Sequence, residues 1–422
     1  MKKLNIAFII GQFPSLSETF ILNQITGLLD RGHRVDIYAS RPAKTGKMHQ
    51  EVVQYHLLDR CIYDDMPGSR AQCMAAAATI VMRKPRLAKL FNAVKYGKEA
   101  LSLRALFIAD KMGGKTYDVI YCHFGDLGKI GALLKETGVT NAQIATTFHG
   151  RDVSAYLDQK GADAYKLLFQ KGDLFMPISE NWKSKLIRLG CDPDKTIVHR
   201  MGIDTGKFSY IPRMLEAGEK VRLVTVARLV EKKGVEYGIR GVAEALKHYP
   251  HIEYAIIGDG PLKAYLQGVV SDLGVQDHVF LLGSKEQHEV IQVLNQSHIM
   301  LAPSVTASDG DQEGIPVVLM EALSMGLPVI STLHSGIPEV VSDGQSGYLV
   351  PEKDSMEIAR TILYMAGHAE EWADMGRFGR QFVENHYSID GLNDRLVQLF
   401  QAASSQEAFW GKEAYDVEYS HH

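Results

Sequence analysis

The stretch SVTASDGDQEGIPVVLMEALSMGLPVIST, residues 304–332, sets two glutamates across a loop-to-helix join, Glu313 just before the helix and Glu321 in its second turn. Pro316 suits the first helical position, where its missing N–H costs no hydrogen bond. The amides around Gly314, Ile315 and Val317 then point out of the helix start and form a site for an anion or a hydroxyl. Gly314 lets a ligand approach the backbone closely. A carboxylate repels phosphate but accepts hydrogen bonds from vicinal hydroxyls. The pair of glutamates and the helix start together suit a ligand that carries both a diphosphate and sugar hydroxyls.

Cations stand elsewhere at strand ends. VARLVEKKG puts Arg228 at the end of an apolar run, with Lys232 and Lys233 just before a helical pattern. Compact positive charge beside a helix start is what a diphosphate needs, and Arg228 and Lys233 are the expected phosphate contacts, ahead of Lys232. In TTFHGRDVS, His149 follows a strand directly, and Gly150 permits a tight turn. His149 is expected to touch the ligand, whereas Asp152 fixes the loop or caps the next helix. His123, in CHFG, has either a supporting or a purely structural role. Asp309 and Asp311 are a close acidic pair but sit in a loop, so no metal is expected. GDGPLK at 258 has two glycines and lacks the third of a dinucleotide fingerprint, which argues against a nicotinamide enzyme.

The elements that must carry these residues follow one rhythm. LNIAFIIG, RVDIYAS, YDVIYCHFG, AQIATTFHG and DLFMPIS are near-continuous apolar strands separated by helical patterns. The helix SETFILNQITGLLDRGH has Ser17 as its cap and closes at Gly32. After KTIVHRMGIDTGKF the rhythm restarts with VRLVTVARL, IEYAIIGDG, HVFLLG, HIMLAPS, LPVIST and GYLV. Apolar strands alternating with helices indicate parallel sheets covered on both faces. The expectation is an α/β chain with one Rossmann-like domain at about 1–205 and a second at 206–387. The final helix, about 388–405, returns to the first domain, and a hinge lies near 200–210. Ligands of such sheets bind beyond the carboxyl ends of strands, where Gly11, His149, Arg228 and the glutamate stretch all fall.

Composition narrows the class. A chain of 422 residues exceeds one hydrophobic core, and 45% hydrophobic with 23% charged residues is globular. A net charge of -4 gives no reason to expect a nucleic-acid partner. The four cysteines, Cys61, Cys73, Cys122 and Cys191, are scattered, as in a reducing compartment. The opening MKKLNIAFIIGQFP is better taken as a first buried strand than as a signal peptide. With no apolar run of spanning length, the expected location is the cytoplasm.

Taken in order, EGIPVVLMEAL, VARLVEKKG, RMGID, IIGDGP and HSGIPEVV resemble glycosyltransferase family 4, retaining nucleotide-sugar transferases of the GT-B fold. FPSLSETFILNQI, HFG, FHGRDVS, PSVTASDGDQEGIP and STLHSGIPE are more narrowly similar to the colanic acid and amylovoran type of exopolysaccharide glycosyltransferase. The resemblance implies that Glu321 holds the donor's ribose hydroxyls. It implies that Glu313 and the amides of Gly314, Ile315, Pro316 and Val317 (proline by position only) hold the transferred sugar and the phosphate beside it. Arg228 and Lys233 would neutralise the leaving diphosphate, His149 would lie over the sugar, and Gly11 would sit in a donor-binding loop. That loop departs from the family's Gly-Gly pair, with GQFPSLSE in its place. The implied reaction moves a hexose, from a UDP-linked donor in the leading case, to a polyprenyl-diphosphate-linked oligosaccharide, without metal. Two other readings stay open: an epimerase or phosphorylase of the same fold, and a non-catalytic subunit of a polysaccharide machine.

Residues 82–106, MRKPRLAKLFNAVKYGKEALSLRAL, carry seven Lys/Arg against one glutamate, interleaved with Leu, Phe and Tyr. On a helix they make a basic amphipathic surface, expected to dock the chain peripherally on an anionic inner leaflet.

Overall fold

A computed structural model describes residues 2–15, 18–41, 48–92, 96 and 103–405. Two six-stranded sheets form, all of their paired strands parallel. The first holds β1 (Asn5–Gln12), β2 (Arg34–Arg41), β3 (Cys61–Tyr63), β4 (Val119–His123), β5 (Gln143–Phe148) and β6 (Leu174–Pro177), in the order β3-β2-β1-β4-β5-β6. The second holds β7 (Val221–Val226), β8 (Ile252–Ile257), β9 (Val279–Gly283), β10 (Ile299–Ala302), β11 (Val329–Thr332) and β12 (Gly347–Val350). Its order is β12-β11-β10-β7-β8-β9, the same doubly wound pattern. Covering helices bury the central strands on both faces, which is why β4 and β10 are buried at every residue.

The chain passes between the sheets twice, and the two passes are bonded to each other. Ile203 donates its N–H to the Tyr387 carbonyl at 2.9 Å, and Ile389 donates to the Ile203 carbonyl at 3.0 Å. After the second pass, helix Ile389–Ser405 packs on the first sheet's core through Leu396, Val397, Leu399 and Phe400. Arg31 fastens it from outside by an ion pair to Asp394 at 2.7 Å.

Three details differ from the expectation. Pro316 stands one position before helix Val317–Ser324, in extended backbone with ψ 120, so Val317 opens the helix. Residues 82–106 are no single helix: helix Arg70–Arg83 ends, and Pro85 starts a 3-10 stretch to Phe91. The proline ring disfavours helical geometry at Lys84 before it. Within that segment Leu87 and Leu90 are buried, and Arg104 turns inward to the Ile10 carbonyl at 2.6 Å and to Asp64 at 3.0 Å. Helix Thr19–Asp30 has Glu18 at its cap position; the proposed cap Ser17, like residues 93–95 and 97–102 of the basic segment, lies outside the described residues.

Phe400 is fully buried, edge-on to Tyr121 with ring centroids 5.1 Å apart. Phe400→Ala should therefore destabilise the first domain by about 3–5 kcal/mol, measured as a lower denaturant midpoint.

Candidate active site

The carboxyl ends of the two sheets face a cleft of about 800 Å³. One wall carries Phe124, His149, Gly150, Arg151 and Ile178. The other carries Arg228, Lys232, Lys233, Gly258, Asp259 and Lys285, with Glu313 to Val318 closing it. Five of the lining side chains are cationic (Arg151, Arg228, Lys232, Lys233, Lys285) against three carboxylates (Glu18, Asp259, Glu313), so the cleft favours an anion.

At its centre Glu313 is buried, and Lys233 Nζ donates to its Oε2 at 2.9 Å. Lys232 Nζ stands 3.4 Å from Oε1 and 3.1 Å from Asp311 Oδ2. Burial pushes the Glu313 carboxyl up, but the two ammonium groups outweigh it and hold it below the ordinary carboxylate range. Oε1 is sealed from solvent and faces the Lys232 ammonium. The lysines reach it from the 3-10 turn Glu231–Lys233, which hands over to helix Val235–Leu246 at Gly234. Gly234 has φ 59, and a Cβ there would collide with the Pro303 carbonyl, so only glycine permits this approach.

Next to Glu313, the N–H groups of Gly314, Ile315, Val317 and Val318 donate to no protein acceptor among the described residues. The last two open helix Val317–Ser324, whose start attracts negative charge. Glu321 lies one turn along on the same face as Val317 and Val318, half-buried, and burial pushes its carboxyl up to about 7. Arg228, exposed at the end of β7, makes no ion pair among the described residues.

Across the cleft the buried His123 meets the half-buried His149: His123 Nδ1 and His149 Nε2 are 3.1 Å apart. Burial pulls His149 down to about 3 and His123 well below its ordinary value, so both rings are neutral near pH 7. His123 Nε2 is buried without a partner. An orphaned acceptor is tolerated better than an orphaned N–H, which favours His123 donating through Nδ1. His149 then keeps its own proton on Nδ1 for a ligand in the cleft. Asp152 clamps the loop beneath, its Oδ1 accepting from the N–H of His149 at 3.0 Å and of Gly150 at 2.9 Å, its Oδ2 from Gly125 at 3.0 Å. Burial still pushes that carboxyl up to about 6.

The two walls touch backbone to backbone. A Cβ on Gly150 would lie 3.2 Å from both Gln312 O and Gly314 N, and one on Gly314 would drive into the His149 carbonyl. Gly314 was expected to admit a ligand; what it admits here is the opposite loop.

The expected residues thus converge, with two exceptions and one change of partner. Gly11 does not line the cleft, and its carbonyl accepts from Ser40 Oγ. Glu321 stands beside the lining. Lys233 is bound to Glu313 in place of standing free for phosphate, and Lys232, ranked behind it, shares the same carboxylate. Sequence reasoning missed Lys285, which follows β9 and falls under the strand-end rule, and Arg151, inside a stretch already singled out. It also missed the role of His334, which accepts from the Glu313 N–H although it lies in the quoted HSGIPEVV, and of Glu352 behind it, which had no local signal. Among the described residues no group of three or more His, Cys, Asp or Glu could hold a metal ion.

Comparison with known proteins gives two adjoining family matches, Glycosyltransferase Family 4 over residues 17–207 and Glycosyl transferases group 1 over residues 209–382. The Escherichia coli (strain K12) protein WcaL, a glycosyltransferase provisionally named for colanic acid biosynthesis, is 36% identical over 94% of this chain and 100% of its own length. The amylovoran biosynthesis glycosyltransferase AmsK of Erwinia amylovora is 38% identical over 94% of this chain and 99% of its own. Among solved structures, Anabaena HepE in complex with UDP aligns with TM-score 0.73 at 15% identity, covering 94% of this chain and 100% of that one. Sucrose-phosphate synthase from Thermosynechococcus elongatus aligns with TM-score 0.72 at 18% identity, covering 96% and 100%.

The seam generates a stability prediction with a built-in control. Gly314→Ala should cost about 1–3 kcal/mol by forcing the loops apart. Gly268→Ala, with nothing within 4 Å in helix Lys263–Asp272, should stabilise by about 0.5–1 kcal/mol. Chemical denaturation of both variants checks the pair of signs.

Proposed function

The chain is a GT-B protein of glycosyltransferase family 4, and from that premise we propose that it transfers a hexose, with retention, from a UDP-sugar to a lipid-linked oligosaccharide of exopolysaccharide assembly. One observation carries the reading: the unbonded amides of Gly314, Val317 and Val318 stand at a helix start beside the Glu313 carboxylate and its two lysines, in a cleft rich in cations. A phosphate oxygen answers the amides, and the Glu313 carboxylate, part of the cleft lining, takes the sugar's hydroxyls. Glu321 accepts the ribose hydroxyls one helical turn away, and Arg228 meets the diphosphate from β7.

In this reading the bond from the anomeric carbon to the diphosphate breaks while the acceptor hydroxyl attacks from the same face. A donor phosphate oxygen takes the acceptor's proton. Lys233 lies between Glu313 and the developing negative charge, and with Arg228 and the helix start it stabilises the leaving group. Losing one such contact costs on the order of 3 kcal/mol of barrier. His149 gives its Nδ1 proton as a hydrogen bond to the sugar. The chemistry is assigned to the cations and amides, with no metal. UDP is favoured because HepE, of the same fold, was crystallised with UDP and with UDP-glucose; the exopolysaccharide setting comes from WcaL and AmsK.

No helix of the described residues is long and apolar enough to cross a membrane. A lipid-linked acceptor calls for a surface contact, and the 82–106 region supports one. Arg83, Arg86 and Lys89 are exposed, and Met74 and Met82 are 61% and 73% exposed nearby on helix Arg70–Arg83. The proposed location is the cytoplasmic face of the inner membrane. Salt-sensitive flotation with anionic vesicles, lost in Arg83→Glu/Arg86→Glu/Lys89→Glu, is the expected result; flotation equal in the variant would move the contact elsewhere.

The central test is a thermal-shift panel of UDP, GDP, ADP and CMP with and without EDTA. A nucleotide at 100 times its Kd stabilises by about 2.7 kcal/mol, and UDP should do so unaffected by EDTA. Glu313→Ala and Lys233→Ala should each abolish most transfer with the fold intact, and near-normal turnover in either defeats the site. A pH dependence follows from Glu321, an acid pushed up to about 7 by burial. Ribose hydroxyls favour its ionised form, so UDP affinity should rise as pH increases through 7. In Glu321→Gln the part of that rise owed to this carboxyl should vanish, leaving the phosphate's own titration.

A further inference from the structure

Glu313 is held at both ends of its backbone by neighbours that take no part in the cleft's lining. Its N–H donates to His334 Nε2 at 3.1 Å, and its carbonyl accepts from Ser335 Oγ at 2.6 Å. His334 is 1% exposed, and its Nδ1 lies 2.6 Å from Glu352 Oε1. Glu352 is itself fixed, its Oε2 accepting from the Thr306 N–H at 2.7 Å. Thr306, Glu313, His334 and Glu352 thus tie together the loops that follow β10, β11 and β12.

The neighbours leave the ring one protonation state. An ionised carboxylate only accepts, so Nδ1 carries a proton; a peptide N–H only donates, so Nε2 carries a lone pair. A doubly protonated ring would set an N–H against the Glu313 N–H, so the ring is neutral. This Nδ1–H tautomer is the minor one for free histidine in water, and here the contacts on both sides impose it.

We propose that His334 and Glu352 are positioning residues: the tautomer fixed by Glu352 holds the Glu313 peptide, and so aims the Glu313 carboxylate at Lys233 and the transferred sugar. The inference rests on the reading of Glu313 as the sugar-holding carboxylate. Its distinctive consequence is a split between binding and turnover. The nucleotide rests on Arg228, Glu321 and the helix start, none of which the relay holds, whereas transfer needs the carboxylate aimed.

The test combines three variants with one spectroscopic measurement. His334→Phe removes the acceptor and keeps a ring; His334→Gln restores an amide oxygen near the place of Nε2. Turnover in His334→Phe should fall about 30-fold or more with the Kd for UDP within about threefold, and His334→Gln should recover most of the loss. Turnover within about threefold of wild type in His334→Phe overturns the proposal. So does a joint loss of UDP affinity, melting temperature and turnover in both variants, the mark of a merely structural residue. Independently of activity, long-range proton–nitrogen spectra of histidine-labelled protein, assigned by the signal missing in His334→Gln, should show His334 with its proton on Nδ1. Glu352→Ala should release it toward the Nε2–H form. An Nε2–H or cationic ring in the wild type overturns the relay even if the chain transfers sugar. A wild type that binds no nucleotide fails the glycosyltransferase reading, while the tautomer still decides the relay.

Discussion

A negative charge kept out of water in the wall of a cleft has to be compensated, and Glu313 is where this fold meets that demand. Taking a carboxylate out of water disfavours its charged form, and two lysines from a neighbouring loop restore it. Much of the local architecture serves that contact. Gly234 lets the lysine-bearing turn pass under Pro303. Gly150 and Gly314 let the opposing loops close over it, and Asp152 clamps the His149–Gly150 stretch from below. The residue at the centre is therefore set by contacts from both domains.

The same arrangement sorts the cleft chemically. Carboxylates, Glu313 held by two lysines and Glu321 by none, lie beside donors without acceptors (the amides at the start of helix Val317–Ser324), with cations around them. Such a surface offers phosphates and hydroxyls separate partners. The neutral histidine pair on the far wall adds a directed donor and no net charge.

The sheets were legible because burial on both faces leaves an apolar signature in each strand, and every strand expected from the sequence is present. β3, three half-buried residues at the sheet edge, carries no such signature and went unseen. Pro316 was misplaced by one position because proline's fixed φ suits both the residue before a helix and its first residue; ψ decides, and ψ depends on what the loop packs against. At 82–106 the spacing of charged and apolar residues suits one helix, but Pro85 breaks it, and a single proline leaves that spacing unchanged. In the site, residues at strand ends could be picked out, since topology alone brings them together. Lys232 and Lys233 sharing Glu313, and His334 carrying the Glu313 amide, are pairings of partners far apart along the chain. Neither partner's local pattern announces the other.

The doubled crossing between the domains has a mechanical consequence. A single strand of linker can stretch, shear and twist, whereas two passes bonded at Ile203, Tyr387 and Ile389 resist the first two. What remains open to them is angular, a rotation about that seam like a door's about its pins. Glu339 acts as the latch. Its carboxylate takes the Asn181 N–H at 3.3 Å and the Arg200 guanidinium at 2.9 Å, and its carbonyl takes the Tyr387 hydroxyl at 2.7 Å. A rotation that widens the cleft would break the Glu339 contacts to Asn181 and Arg200, none of which belong to the cleft's own lining.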